Sequence, residues 1–310
     1  MTAADGTMPG DAATSPPVTM TNTAALIALH VAVALFGFAG LFGKWLALSP
    51  VAIVLGRTAI AAAALGILRV RAGERARFDV RLAANGVVLA LHWVSFFAAI
   101  QVSTVAVGLL GFASFPLFTL VIERVFLARP IGRREATTAL LVTAGLVLLV
   151  PEISVENPVV RGLAWGLVSG FTFALLAVMN RRWAMARPAT DIAFWQNALA
   201  ALALLPFAWA SPWALGEIGG RDIALLLVLG LACTALAHTL FIAALANVTA
   251  HTASVIAALE PVYGIALAFA LLGEIPSLRT LAGGVLIIAA AVTATQRASL
   301  ATVGWRQPNR

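Results

Sequence analysis

Ten long apolar segments constrain this chain more than any other feature of its sequence. A helix of about 20 apolar residues crosses the ~30 Å hydrocarbon core of a bilayer. Only 11% of the 310 residues are charged, against roughly 25% in ordinary soluble domains, and the mean hydropathy is +0.98. The sequence therefore predicts an all-α integral membrane protein with ten transmembrane helices. The predicted spans are 24–43, 50–69, 82–101, 104–126, 136–150, 161–180, 190–209, 222–245, 249–272 and 280–297.

The positions of the basic residues predict how the chain is oriented. If the N-terminus is cytoplasmic, most of the 20 Lys and Arg residues fall in cytoplasmic loops and the C-terminal tail. Short cytoplasmic loops carry an excess of positive charge, so we expect both termini in the cytoplasm. The arginine clusters are either topological anchors or binding sites for anionic lipid or a partner. Their place in short loops argues against nucleic-acid binding, despite the net charge of +7.

Two terminal segments lie outside the predicted spans. Residues 1–23 are polar and rich in Thr, Pro and Ala, and they have no basic stretch ahead of an apolar one. This pattern predicts a mobile N-terminal tail and not a signal peptide. Residues 298–310 form a predicted cytoplasmic tail.

The single cysteine, Cys233, excludes an internal disulfide.

The chain contains an internal repeat. The stretch "ALHWVSFFAAIQVSTVAVGLLGFASFP" (90–116) resembles "ALAHTLFIAALANVTAHTASVIAALEP" (235–261), at an offset of 145 residues. Each half then contains five spans, an odd number, so the second half enters the membrane from the opposite side. Such inverted repeats are typical of secondary transporters. We assign the first repeat to 24–150, an outer linker to 151–160 and the second repeat to 161–297.

Two prolines occupy equivalent positions in this repeat, Pro116 in span four and Pro261 in span nine. A proline inside a helix removes one hydrogen bond and frees a carbonyl one turn earlier. Within a membrane, that carbonyl must face protein or a cavity. We predict that each proline kinks its helix and serves as a hinge. The alternative is a static curvature accommodated by packing.

The C-terminal third carries a family resemblance. The stretch "LEPVYGIALAFALLGEIPSLRTLAGGVLIIAAAV" (259–292) resembles the end of an EamA-type domain of the drug/metabolite transporter (DMT) superfamily. The first half resembles the same domain, with Phe115 in place of Glu260. Span three, "ALHWVSFFAAIQVS", is similar to the YddG-type aromatic amino-acid exporters. The resemblance implies two five-helix halves around a central cavity, and export from the cytoplasm by alternating access.

The residues in the implied cavity helices suit a zwitterion with a large apolar side chain. Such a substrate needs aromatic walls together with hydrogen-bonding groups. Histidine and aromatic residues occur together in span three and again in span eight. For every member, ordinary packing, backbone hydrogen bonding or a lipid-facing position is the alternative. The predicted substrate-binding residues are His92, Trp93, Phe96, Ser114, Trp165, Phe171, His238, Phe241 and Glu260.

Two charged residues fall inside predicted spans, Arg57 and Glu260. Charged groups within a membrane are costly and commonly functional. Glu260 would bind a substrate ammonium or carry a coupling proton, unless it is a structural residue. Arg57 would be its counter-ion or a receptor for a carboxylate, unless it extends toward the membrane surface.

These features favour an amino-acid exporter of broad, apolar-leaning specificity in a bacterial inner membrane. Its partners would be amino acids and lipid, and one chain is large enough to enclose the cavity. Proton-coupled efflux of lipophilic cations is the alternative, with Glu260 facing aromatic rings. A carrier of sugar phosphates would need more basic residues than Arg57. The sequence contains no pattern typical of an enzyme, a metal site or a cofactor site, and no ring of charges typical of a channel.

Overall fold

The computed structural model describes residues 21–73, 78–127, 132–150, 152, 154–184, 187–209, 218–245, 248 and 256–295. Within these ranges the regular structure is entirely helical. A π-helical turn, Leu231–Leu236, joins α9 to α10. The helices are α1 (Asn22–Trp45), α2 (Pro50–Arg71), α3 (Arg81–Val102), α4 (Val105–Phe112), α5 (Phe115–Leu127), α6 (Arg133–Leu149), α7 (Pro158–Ala184), α8 (Ala189–Trp209), α9 (Gly220–Gly230), α10 (Ala237–Leu245), α11 (Glu260–Leu272) and α12 (Leu278–Thr295).

The helices confirm the prediction of an all-helical membrane protein. Seven helical segments among the described residues are long and apolar enough to cross a bilayer. Three shorter apolar helices, Ala136–Leu149, Glu260–Leu272 and Leu278–Ala290, correspond to predicted spans five, nine and ten. Nearly all of the predicted N-terminal tail, the whole C-terminal tail and the start of span nine (249–255) lie outside the described residues.

Local sequence signals explain where several helices begin and end. Ser49 caps α2 by accepting a hydrogen bond from the backbone N–H of Ala52, and Thr104 caps α4 through the N–H of Val107. Side-chain caps of this kind satisfy one of the free N–H groups in a first helical turn. Gly273 ends α11 in the left-handed region, with φ of 68°. Glycine adopts that conformation at no steric cost.

Helix α3 lies at the centre of the bundle, where it packs against α7 and α8. Helix α1 packs against α10 and α11, while α4 packs against α7 and α11. Helices α6 and α12 pack mainly against each other. Residues of α1 to α4 and of α7 to α9 therefore form the largest buried apolar cluster.

Two helix crossings depend on glycine. A Cβ atom on Gly37 of α1 would lie 2.8 Å from the backbone N of Gly264 in α11. A Cβ atom on Gly166 of α7 would lie 2.8 Å from the Cα of Gly111 in α4. Small residues at membrane helix interfaces allow this close backbone approach. The crossings bring α11 onto α1, and α4 onto α7, near the two equivalent prolines of the internal repeat, Pro261 and Pro116.

Each of those prolines lies beside a break in its span and not inside a continuous bent helix. Helix α4 ends at Phe112, a turn follows at 113–114, and α5 begins at Phe115 with Pro116 as its second residue. Helix α11 begins at Glu260 with Pro261 as its second residue, directly after a turn at 258–259. The first helical turn tolerates proline because its N–H groups have no partner within the helix.

The backbone hydrogen bonds at the two breaks correspond residue by residue. The N–H of Ser114 donates to the carbonyl of Gly111 at 3.2 Å, and the N–H of Leu259 donates to the carbonyl of Ile256 at 3.0 Å. Donors and acceptors are each 145 positions apart, the offset of the sequence repeat. The predicted kinks are therefore matched helix breaks.

The two ends of the bundle are closed by different contacts. At one end Arg69 of α2 pairs with Asp191 of α8 at 2.6 Å, and both side chains are buried. Arg69 lies in the last turn of α2 and not in the loop that follows it. At the other end Lys44 donates to the carbonyl of Ser103, and Glu274 accepts from the backbone N–H of Val105.

Candidate functional site

Five rings form an aromatic cluster where α3, α7 and the α4–α5 break meet. The His92 ring centroid lies 5.2 Å from that of Phe173 and 5.4 Å from that of Phe112. Phe96 contacts Phe112 edge to face, and Phe115 contacts Phe173 edge to face. Offset and edge-to-face pairs at these distances are attractive beyond their buried area. The cluster is an apolar wall with one imidazole in it.

The orientation of His92 is set by α7. Its Nδ1 lies 3.0 Å from the backbone carbonyl oxygen of Ser169 and 3.0 Å from the Ser169 hydroxyl. A carbonyl oxygen only accepts hydrogen bonds, so Nδ1 carries the proton and Nε2 is left as an acceptor. His92 is thus a positioned polar group inside an aromatic wall.

Arg57 of α2 lies next to this wall, and its side chain is fixed by three contacts. Its Nε donates to the Thr234 hydroxyl at 2.9 Å, and its Nη2 donates to the carbonyl of Cys233 at 3.3 Å. The guanidinium carbon lies 4.1 Å from the centroid of the Trp93 ring. Only 2% of the residue is exposed. These contacts hold the Arg57 side chain inside the helix bundle and not extended toward its surface.

The acceptors for Arg57 come from the π-helical turn between α9 and α10. A π-helical turn shifts the backbone bonding pattern by one residue and commonly occurs at functional sites. The hydroxyl of Thr234 donates to the carbonyl of Leu229, five residues earlier, at 2.7 Å. Its oxygen lone pairs are therefore directed at the guanidinium. The turn thus supplies two neutral acceptors to one buried cation.

His238, at the start of α10, is a second polar residue in contact with Trp93. The two ring centroids are 6.0 Å apart and nearly perpendicular. His238 is 8% exposed, and its Nδ1 has no hydrogen-bond partner among the described residues. Buried polar atoms are rarely left without a partner, so this nitrogen is an available hydrogen-bonding position.

Glu260 is the first residue of α11 and is also 8% exposed. Its charge interacts electrostatically with that of Arg57. No described carboxylate lies within 4 Å of the Arg57 guanidinium, so the two residues do not form a direct ion pair. The predicted counter-ion relation is therefore one of long range and not a direct contact.

The predicted residues fall into three groups. His92, Trp93, Phe96 and His238 lie together around Arg57 and the aromatic cluster. Ser114 is buried at the first helix break, where its hydroxyl donates to the carbonyl of Gly111 at 2.7 Å.

The remaining predicted residues lie apart from this group. Phe241 packs on Phe36, at 5.7 Å between ring centroids, in a separate cluster formed by α1, α10 and α11. Trp165 and Phe171 of α7 are each 44% exposed, and Phe171 contacts Phe118. These two side chains are therefore directed away from the aromatic cluster.

Sequence reasoning did not select three participants of this site. Phe173 touches His92, Phe112 and Phe115, and Thr234 and Cys233 bind Arg57. A threonine inside the apolar run "LACTAL" is a weak signal for a buried hydrogen bond. Phe173 has no distinguishing signal, because phenylalanine is common throughout the apolar segments.

A second buried polar group joins three helices near the Arg69 end. The amide oxygen of Asn180 in α7 accepts from the side chain of Asn85 in α3 at 2.7 Å and from that of Gln196 in α8 at 2.5 Å. Buried amides that share hydrogen bonds fix the register of the helices that carry them.

In the described part of the chain, no group of three or more His, Cys, Asp or Glu residues is placed to hold a metal ion.

Comparisons with known proteins identify the family. The EamA-like transporter family matches this chain twice, over residues 23–150 and 160–296. An uncharacterized transporter of Archaeoglobus fulgidus is 26% identical over 209 residues, which is 64% of this chain and 70% of that protein. A second uncharacterized transporter of the same organism is 27% identical over 168 residues, 53% of this chain and 58% of that protein.

A solved structure supports the fold. One crystal structure of a protein superposes with a TM-score of 0.65 at 20% identity, and the match covers 91% of this chain and 99% of that one. At that identity the likeness concerns the fold alone. Since the family match covers most of the sequence in two segments, the chain belongs to the EamA-like transporter family.

Proposed function

We propose that this transporter exports amino acids with aromatic or other large apolar side chains. The observation that carries the proposal is the buried aromatic cluster, with a fixed guanidinium on the neighbouring Trp93 and a buried glutamate, Glu260, in the same bundle. In this proposal the chain crosses a bacterial inner membrane ten times, as two inverted five-helix repeats with both termini in the cytoplasm. The double family match, over 23–150 and 160–296, supports two repeats.

The three parts of the site match the three parts of an amino acid. The aromatic cluster suits a ring or a branched aliphatic side chain. The guanidinium of Arg57 suits a carboxylate, because its planar donors match both carboxylate oxygens. The carboxylate of Glu260 suits an α-ammonium group. A zwitterion would therefore place an opposite charge beside Arg57 and beside Glu260.

The matched helix breaks support transport by alternating access. The first break joins α4 to α5 through a turn at the aromatic cluster, and the second is a turn directly before α11 and Glu260. A change in the angle at one break would open one end of the bundle, and a change at its equivalent would open the other. Pro116 and Pro261 act as hinges in this proposal.

The site favours an amino acid over a lipophilic cation. Arg57 already occupies a face of Trp93, which is the group that a cation would otherwise contact. Its positive charge also repels a second cation in a low-dielectric interior. Glu260 is the one observation in favour of cation transport, so the test includes that substrate class.

Counterflow in proteoliposomes tests this proposal. Vesicles are preloaded with unlabelled phenylalanine, without a pH gradient, and uptake of labelled phenylalanine is compared with that of a labelled lipophilic cation. We expect saturable phenylalanine accumulation that is lost on Trp93→Ala or Phe96→Ala. Phe269→Ala is the matched control, because that side chain is 59% exposed on α11. Proton-dependent cation movement that Glu260→Gln abolishes, without phenylalanine counterflow, would contradict the proposal.

A further inference from the structure

The buried charge of Arg57 has no direct counter-ion among the described residues. Its two hydrogen bonds are made to neutral acceptors, the Thr234 hydroxyl and the Cys233 carbonyl. Isolating a cation from water is costly unless an opposite charge compensates it. Glu260 acts on it only at long range. The uncompensated positive charge of Arg57 therefore favours the binding of an anion beside it.

The guanidinium is oriented before any anion arrives. Its Nε and Nη2 are bound to the π-helical turn, and one face lies on Trp93. Nη1 makes no hydrogen bond to any described residue. A guanidinium has five N–H donors, so Nη1 provides two that are unused. Fixing the side chain in advance reduces the conformational entropy lost on binding.

A second unused nitrogen lies close to the same tryptophan. Nδ1 of His238 is buried and has no described partner, while the His238 ring contacts Trp93. Arg57 and His238 come from α2 and α10, so two elements from different halves of the chain contact the same tryptophan. Packing against Trp93 does not by itself explain why each of these side chains has a nitrogen without a described hydrogen-bond partner.

We infer that Arg57 and His238 form a receptor for the carboxylate of the transported molecule. Nη1 of Arg57 and Nδ1 of His238 donate to the carboxylate, and the cluster around Phe96 receives the apolar part. The recognised class is then a monocarboxylate that carries a large apolar group. The carboxylate is required, whereas the α-ammonium group adds to binding only through Glu260. This inference rests on the proposed function, because it places the receptor in the transport site.

Three small probes separate these contributions in the full-length protein purified in detergent. Phenylalanine has both charged groups, 3-phenylpropionate lacks the ammonium, and phenethylamine lacks the carboxylate. Binding is measured as ligand-dependent thermal stabilisation over a concentration series. We expect phenylalanine and 3-phenylpropionate to bind, and phenethylamine to bind at least about tenfold more weakly, since a charge-assisted bidentate contact is absent.

Variants locate the receptor. Arg57→Gln should weaken binding of both carboxylate probes by about tenfold or more. His238→Phe retains a ring against Trp93 but removes the donor, and should weaken the same two probes by a smaller factor. Arg57→Gln removes the hydrogen bonds to Thr234 and Cys233 and can therefore destabilise the protein. His238→Phe keeps a ring against Trp93, so it is the second variant in case Arg57→Gln does not fold. Arg161→Gln is the matched control, since Arg161 is exposed at the start of α7.

The outcomes distinguish this inference from the proposed function. Phenylalanine binding that is unchanged in both Arg57→Gln and His238→Phe would overturn the receptor and leave amino-acid transport standing. Binding of 3-phenylpropionate but not of phenylalanine would support the receptor and contradict the amino-acid substrate. Phenethylamine binding as tight as that of 3-phenylpropionate, or no binding of either carboxylate probe, would overturn the receptor.

Discussion

The two helix breaks share one backbone geometry but present different chemistry. Both consist of a turn, a matching backbone hydrogen bond and a proline in the next helical turn. At the first break, Phe115 stacks on Phe112 at 5.5 Å and contacts Phe173. At the second, the equivalent position is Glu260, buried and within electrostatic range of Arg57.

This difference shows how a duplicated unit can provide an asymmetric site. Proline and the surrounding turn determine the backbone, because a residue without an N–H cannot continue a helical hydrogen-bond pattern. The residue before the proline is free to vary, since it contributes only its side chain. In this account the first half therefore supplies the apolar wall and the second half supplies the charge.

The largest expected effects come from the glycine crossings beside the two breaks. Gly37→Ala and Gly166→Ala each place a methyl group about 2.8 Å from the backbone of the facing helix. Overpacking of this kind typically costs ~1–3 kcal/mol, and a clash with backbone belongs at the upper end. We expect both variants to lower the midpoint of thermal unfolding by a similar amount.

Gly220→Ala is the control for the glycine crossings. A Cβ atom at Gly220 meets no atom within 4 Å, so the unfolding midpoint should stay the same. If Gly37→Ala behaved like Gly220→Ala while Gly166→Ala destabilised the protein, the two crossings would not be equivalent. The comparison between the breaks would then apply to their turns alone.

Glu260→Gln should produce the next largest effect, and on transport rather than on stability. Glutamine has the same shape but no charge, so the partner proposed for the substrate ammonium is lost. We expect the initial rate of phenylalanine counterflow to fall by about tenfold or more. The unfolding midpoint should change little, because Glu260 makes no close ion pair among the described residues. Exposed Glu152 provides the control variant, Glu152→Gln.

Phe115→Leu should have a smaller and more selective effect. The substitution retains an apolar side chain but removes two ring contacts, each worth ~0.5–1.5 kcal/mol in aromatic pairs. We expect the KM for phenylalanine counterflow to rise by about two- to tenfold, while leucine counterflow stays near the wild-type rate. Equal losses for both substrates would indicate a role in the hinge and not in the apolar wall.

Ser114→Ala should have the smallest effect. The hydroxyl donates to the carbonyl of Gly111 in the last turn of the preceding helix, and hydrogen bonds inside membrane proteins contribute about 0.6 kcal/mol on average. We expect a small decrease in the unfolding midpoint and unchanged phenylalanine counterflow. A severe loss of counterflow with a normal unfolding midpoint would instead assign Ser114 to substrate binding, as the sequence analysis proposed.

The sequence predicts the helical membrane fold and the locations of both breaks, because apolar length and proline act locally. It does not predict the rotation of each helix. A membrane helix is apolar on its lipid face and on its protein face, so periodicity carries little information. Trp165 and Phe171 therefore appeared to be candidates, although both side chains are directed away from the aromatic cluster.

The setting of Arg57 was harder to foresee. Its acceptors depend on a π-helical turn far along the chain, which forms at Leu231–Leu236. Such a turn has no reliable local signal in the sequence. It packs on α2, as α9 does, and α2 is distant from it along the chain. The sequence thus indicated an unusual arginine but not the groups that hold it.

The different roles of Phe115 in the apolar wall and Glu260 as the charged group are tested most directly by one ratio. This is the ratio of phenylalanine to leucine counterflow in three proteins. Wild type, Phe115→Leu and Glu260→Gln are reconstituted at equal density, and both substrates are measured in each. We expect Phe115→Leu to lower the ratio, whereas Glu260→Gln should lower both rates and leave the ratio unchanged. A ratio that falls in Glu260→Gln but not in Phe115→Leu would contradict these roles.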